Sequence, residues 1–259
     1  MQLFEYLFLP FGIVILLLIV AIPIIVIYLF LRLSETALEM VGFDHWHASL
    51  AVFGSIIGSL VDIPLGAVPL TAYPAWYLIL VSLSPEEIPT IFHPVMLAVN
   101  LGGCIIPLAI SAHLLLREKA SPVKALIGIA VVAVVTYYFA EAIPGEGIVL
   151  PFWLSPLLAA VCGLVLAGGY RGAPPLAYIS GTVGTLIGAD LLSLLTPGVL
   201  PALSFVGLQK TGPLVLSIGG AGVFDGIFLT GIMSVLLAAG IACLLRGSCD
   251  DLGAQEAKD

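Results

Sequence analysis

Seven long apolar runs leave this chain few ways to fold. They lie near residues 6–32, 45–62, 93–116, 122–140, 151–169, 174–195 and 214–245. About 20 apolar residues suffice to cross the hydrocarbon as a helix. Such a segment must also satisfy its own backbone, which a helix does. Only 9% of the 259 residues are charged and 61% are hydrophobic, too few polar groups to cover a soluble domain of this size. The expected fold is all-α: a polytopic helical membrane protein of about seven transmembrane helices, with an external Pro-rich excursion and broken Gly-rich helices. Residues 1–259 read as a single integral membrane domain whose first partner is the lipid bilayer. With eight Lys and Arg in all, no nucleic-acid partner is expected.

The basic residues orient the chain. If all seven runs cross, Arg32, Arg117, Lys119, Lys124, Arg171, Arg246 and Lys258 fall on one side and Lys210 on the other. Basic loops stay in the cytoplasm. The expectation is a multi-pass cell-membrane protein with its N-terminus outside and its acidic tail, 247–259, in the cytoplasm. The first run lacks a basic start and is too long for a signal core, so it reads as the first span, 6–32.

The same asymmetry bears on the stretch 63–92, which carries Pro64, Pro69, Pro74, Pro85 and Pro89. One extra crossing there would invert everything downstream, so it reads as an external excursion with Glu86 and Glu87 in water. Residues 34–41 read as a short interfacial helix, and Asp44 as the N-cap of the second span. His45 and His47 flank Trp46 there, an interfacial aromatic. The four cysteines show no CxxC or Cys/His spacing and read as apolar fillers or free thiols. No metal and no cofactor is expected.

Against this background two aspartates need a reason. Asp190 ends Gly184-Thr-Leu-Ile-Gly-Ala-Asp, and Asp225 lies within Gly219-Gly-Ala-Gly-Val-Phe-Asp-Gly, both inside apolar runs. A carboxylate at the centre of a membrane helix costs about 2.5–3.5 kcal/mol on insertion scales. Gly181, Gly184 and Gly188 slim the sixth span, and Gly222 lies one turn before Asp225. Close packing of the sixth and seventh spans would bring the two carboxylates to similar depth. Such a pair titrates as a unit, with one carboxyl ionised and one protonated. The plainer reading is that each Asp bonds backbone amides beside a glycine break.

A second polar group lies upstream. Asn100-Leu-Gly-Gly103 interrupts the third span, because glycine costs about 1 kcal/mol in a helix interior. On the second span Gly54, Gly58 and Asp62 are spaced by four, so they share one helix face. An internal echo ties this region to the later one. Gly54-Ser-Ile-Ile-Gly58 is matched by Gly184-Thr-Leu-Ile-Gly188, and Asn100-Leu-Gly-Gly103 by Ser217-Ile-Gly-Gly220. Two related hairpins around one centre are a familiar plan for membrane carriers. Asp62, Asn100, Gly102, Gly103, Gly219, Gly220 and Gly222 are therefore candidates for a substrate or ion path.

The blocks 180–192 and 217–231, with Asn100-Leu-Gly-Gly and Ile106-Pro107, resemble a prokaryotic membrane-protein family known only as domain of unknown function 1614. That resemblance implies no activity. A more distant one is to the presenilin and signal-peptide-peptidase group of intramembrane aspartyl proteases. It gives Asp190 the role of the sixth-span aspartate and Gly222-Val-Phe-Asp225 that of the Gly-x-Gly-Asp motif. Phe224 and Ala189 depart from that group's pattern. The resemblance implies paired catalytic aspartates, Asp190 and Asp225, acting on a transmembrane-helix substrate. The residues alone leave three functions open: this protease, a small ion- or proton-coupled transporter, and a non-catalytic scaffold.

Overall fold

The computed structural model describes residues 2–67, 95–143, 147–197, 199–204, 214–220 and 226–246. It is a bundle of apolar helices with a small sheet at one end. The helices are α1 (Gln2–Val41), α2 (His45–Gly58), α3 (Ile106–Leu116), α4 (Pro122–Phe139), α5 (Leu154–Ala167), α6 (Ala173–Thr185), α7 (Val199–Ser204) and α8 (Gly226–Arg246). A π-helical segment, Leu101–Ile105, leads into α3. Another, Leu186–Leu192, continues α6 and closes with one α turn, Ser193–Leu195. Four helical stretches are long and apolar enough to cross a membrane: Val14–Val41, Pro122–Phe139, Tyr170–Leu195 and Gly226–Leu245. Leu101–Leu116 and Leu154–Ala167 are shorter apolar helices. The polytopic helical membrane architecture stands.

The core forms around α6. Twelve of its thirteen residues are buried, so it is the central helix, with α4, α5 and α8 packed around it. Its small residues admit these neighbours. A side chain at Gly181 would meet Ser234 of α8, whereas one at Gly184 or Gly188 would meet Val132, Ala133 or Thr136 of α4. The glycine stripe thus serves α4 as much as α8, where the sequence suggested α8 alone. By contrast, α1 is exposed along most of 14–33 and suits direct contact with lipid.

Several boundaries differ from expectation for physical reasons. Helix α1 runs unbroken to Val41, so 34–41 is its last two turns and no separate helix. Asp44 occupies the N-cap position of α2, but its carboxylate pairs with the His47 ring and caps no backbone amide. Cys104 and Cys162 are buried and outside any disulfide, whereas Cys243 is disulfide-bonded, unlike the apolar filler or free thiol expected.

The larger difference is the sheet. The run 45–62 is helical only to Gly58, 14 residues or about 21 Å, short of the roughly 30 Å hydrocarbon. Asp62 then opens a strand, so Gly54, Gly58 and Asp62 do not share a helix face. Strand β1 (Asp62–Ala67) pairs antiparallel with β2 (Val95–Asn100), and β2 pairs parallel with β5 (Leu214–Ile218). A second small hairpin joins β3 (Glu141–Ile143) to β4 (Gly147–Val149). Pro64 is tolerated because β1 is an edge strand, and the register shifts between Pro64 and Gly66. The described part of the third run, and the seventh run, therefore begin as strands. The excursion 63–92 starts as β1, and its part from residue 68 on lies outside the described residues. Asp225 and Gly222 lie outside them too.

Turns carrying basic residues gather at the end of the bundle away from the sheet. The Lys119 side chain covers Gly42 between α1 and α2. Lys124 Nζ donates to the Ala167 carbonyl at the end of α5, 3.0 Å.

Candidate functional site

Both glycine breaks follow a strand and precede a helix. In the first, β2 ends at Asn100, and Gly102 and Gly103 lie in the π segment that leads to α3. Asn100 is 2% exposed and nearly saturated with hydrogen bonds. Its Oδ1 accepts from the Gly103 amide at 2.9 Å, capping the break. Its Nδ2 donates to the Ser59 carbonyl at 2.9 Å and to Asp62 Oδ1 at 3.0 Å. Ser55 Oγ donates to the Gly102 carbonyl, 2.7 Å, and the Gly102 backbone packs directly on Ser55, Gly58 and Ser59. Even one methyl at Gly102 would collide with that backbone. The first hairpin thus holds itself closed.

The second break is held differently. Residues 217–220 form a turn in which the Gly220 amide donates to the Ser217 carbonyl at 3.0 Å. Gly219 has φ +81°, the value that the third residue of a type II turn requires and that only glycine adopts at little cost. No side chain within the turn caps it. The Gly219 amide instead donates to Asp190 Oδ2 at 2.7 Å, reaching across to the π segment after α6. π segments of this kind recur at functional sites. Ser193, one turn from Asp190, donates to the Gly188 carbonyl and does not pair with it.

The two breaks also touch. A Cβ on Gly219 would come within 2.8 Å of Cys104 and the Gly103 carbonyl carbon, so the turn lies against the first π segment. The Ser217 hydroxyl donates to Asp62 Oδ1, the oxygen that Asn100 also bonds. Asp62 and Asp190 therefore hold the same turn from opposite hairpins. Ser217 and Gly219 are two residues apart, about 7 Å of extended chain at most.

Of the residues singled out from sequence, Asp62, Asn100, Gly102, Gly103, Gly219 and Asp190 are brought together. Gly220 closes the turn by its backbone bond. Ser217 is the partner that sequence reasoning passed over as a site residue. The signal existed: the alignment that matches Gly102-Gly103 with Gly219-Gly220 matches Asn100 with Ser217. In the sheet, Ser217 pairs with Ala98, two residues before Asn100. The echoed motifs are thus neighbours on parallel strands.

A family model described as "Protein of unknown function (DUF1614)" matches residues 56–237. The chain belongs to that family. The match begins inside α2 and ends inside α8, so Asp62, Asn100, Asp190, Ser217 and Gly219 of this DUF1614 protein fall within it, and Ser55 and all of α1 fall outside. No curated protein and no solved structure matches. Among the described residues of this DUF1614 protein, no three His, Cys, Asp or Glu side chains gather as metal ligands would.

Proposed function

We propose that this protein is an intramembrane aspartyl endopeptidase that cuts transmembrane-helix substrates with Asp190 and Asp225. The observation that supports the reading is the bond from the Gly219 amide to the Asp190 carboxylate. It ties the Gly184–Asp190 motif to the head of the Gly219–Gly226 motif. Asp225 follows Gly219 by six residues in the sequence.

The chemistry needs one ionised and one protonated carboxyl. The ionised carboxylate takes a proton from water as the water oxygen bonds the scissile carbonyl carbon. The protonated carboxyl gives its proton to the carbonyl oxygen. Collapse of the gem-diol breaks the C–N bond and returns a proton to the departing nitrogen. A helix in lipid hides its carbonyls in its own hydrogen bonds, so a substrate must first unwind. The strands beside Asp190 offer an environment in which extended backbone is already accommodated.

The basic residues support an orientation for this reading. Lys119 and Lys124 lie at the end away from the sheet. Basic residues inside then put the cut near the outer leaflet and the C-terminus in the cytoplasm.

The test is cleavage of a reporter membrane helix by the purified protein in liposomes, with products identified by mass spectrometry. Asp190→Asn and Asp225→Asn should each lower the rate by about a hundredfold or more while the protein remains folded. Normal cleavage by either variant refutes the proposal.

A second reading, an ion- or proton-coupled carrier, is favoured by a different observation. The parallel pairing of β2 with β5 puts two strand–glycine–helix units side by side, with a carboxylate at each. It requires gradient-driven uptake into liposomes that fails when Asp62 cannot ionise.

A further inference from the structure

The turn that offers its amide to Asp190 is itself held from the first hairpin. Ser217 opens the turn, and its hydroxyl donates to Asp62. Asp62 is fixed in place by the buried Asn100, whose other bonds lock it to Ser59 and Gly103. Gly103 and Cys104 support the far side of the turn against Gly219. Asp62 is exposed, opens an edge strand, and bonds neither Asp190 nor Gly219 among the described contacts.

We infer that Asp62 is a positioning residue: through Ser217 it sets the 217–220 turn, and so fixes the Gly219 amide on which the Asp190 carboxylate sits. This rests on the reading of Asp190 as a reacting carboxyl. Removing Asp62 leaves the Ser217 hydroxyl without its acceptor. The turn then keeps its own backbone bond, the ladder with β2, the Gly219–Asp190 bond and its packing on Gly103 and Cys104, but loses the side-chain bond that ties Ser217 to the first hairpin. Misplacement of a reacting group by about 1 Å costs up to about a hundredfold in rate.

The geometry also says which property of Asp62 matters. Both donors, Asn100 Nδ2 and Ser217 Oγ, meet the same oxygen, Oδ1. An amide oxygen accepts two such bonds as a carboxylate oxygen does. Asp62→Asn should therefore keep the turn in place, and Asp62→Ala should not. A coupling carboxylate would behave the other way, losing its function in Asp62→Asn.

The experiment uses the full chain in lipid nanodiscs, with ¹⁵N-glycine and the Gly219 amide resonance identified by its response to Asp190→Asn. Asp62→Ala and Ser217→Ala should each displace that resonance, and the double variant no further than either single one. Asp62→Asn should return it towards the wild-type position. On the reporter helix, Asp62→Ala should lower kcat about tenfold to a hundredfold with KM unchanged, and Asp62→Asn should recover most of it. A Gly219 resonance unmoved in Asp62→Ala, or effects of Asp62→Ala and Ser217→Ala that add, overturns the inference. If the wild-type protein cuts nothing while the resonance responds as described, the protease reading fails and the link from Asp62 to the turn stands. If Asp190→Asn abolishes cleavage but Asp62→Ala leaves the resonance unmoved, the link alone fails.

Discussion

The two hairpins share one plan and differ in how they satisfy it. Each runs strand, Gly-Gly, helix. In the first, the break is capped locally, by Asn100 three residues before the Gly103 amide that it accepts from. In the second, the turn borrows its acceptor from another helix, Asp190. A self-capped break stays shut whatever its neighbours do. A break capped by a distant carboxylate couples that carboxylate to the backbone beside it. On the proposed reading the first hairpin is the frame and the second the working half, with Asp62 and Ser217 joining them.

That division predicts unequal responses to similar substitutions. The largest contrast is between the two aspartates. Asp190→Asn should lose at least about a hundredfold in cleavage rate. Asp62→Asn should stay within about threefold of wild type, because its oxygen still serves both donors. Equal losses in the two variants would erase the distinction between frame and working half.

Next comes the buried cap. Asn100→Ala orphans the Gly103 amide and removes a donor from the Ser59 carbonyl, at about 1–3 kcal/mol for each group left unsatisfied. Denaturant unfolding in mixed micelles should show a loss of that order. A loss below about 0.5 kcal/mol would mean that the first break has another cap.

Glycines should sort the same way. Gly219→Ala puts a side chain at φ +81° and against Cys104, and should destabilise the protein by about 1–3 kcal/mol. Gly240→Ala, in α8 with open space around the added methyl, should instead be neutral or stabilising by up to about 1 kcal/mol. The same unfolding assay reads both, and similar effects at the two positions would blunt the comparison.

The smallest effect lies at the other end of the bundle. A hydrogen bond from the His47 ring holds the Asp44 carboxyl below the usual carboxylate range. Its contribution is present above the unfolded value, about pH 3.9, and is lost as pH falls through the lower folded value. The thermal midpoint of His47→Ala should therefore fall slightly below wild type at pH 5 and converge with it towards pH 3. Added salt should shrink the gap, because the pair is exposed.

The sequence announced the helices because lipid leaves a long apolar run little alternative. It did not announce the sheet. Segments 62–67, 95–100 and 214–218 are short and mostly apolar, and such runs do not tell strand from helix by periodicity. Their markers were indirect: Pro64 after Asp62, Gly-Gly after Asn100, Gly-Gly after Ile218. The candidate site was legible in part. Asp62, Asn100, Gly219 and Asp190 stood out as polar or glycine residues in apolar surroundings. Ser217 did not, because serine is unremarkable in a membrane segment and only its alignment with Asn100 pointed to it. That Asp62 meets Ser217 depends on the parallel pairing of strands 119 residues apart, Val95 with Leu214, which no local pattern encodes.

The central claim is that Asp190 and Asp225 form one site. A hydroxyl-bearing peptide isostere of the gem-diol, set in an apolar helix-forming peptide, tests it directly. Such an analogue should bind the wild-type protein far more tightly than the parent peptide. Asp190→Asn and Asp225→Asn should each abolish that advantage, with the double variant no worse than either and Asp62→Asn unaffected. Full retention of the advantage in Asp190→Asn or in Asp225→Asn would contradict the account.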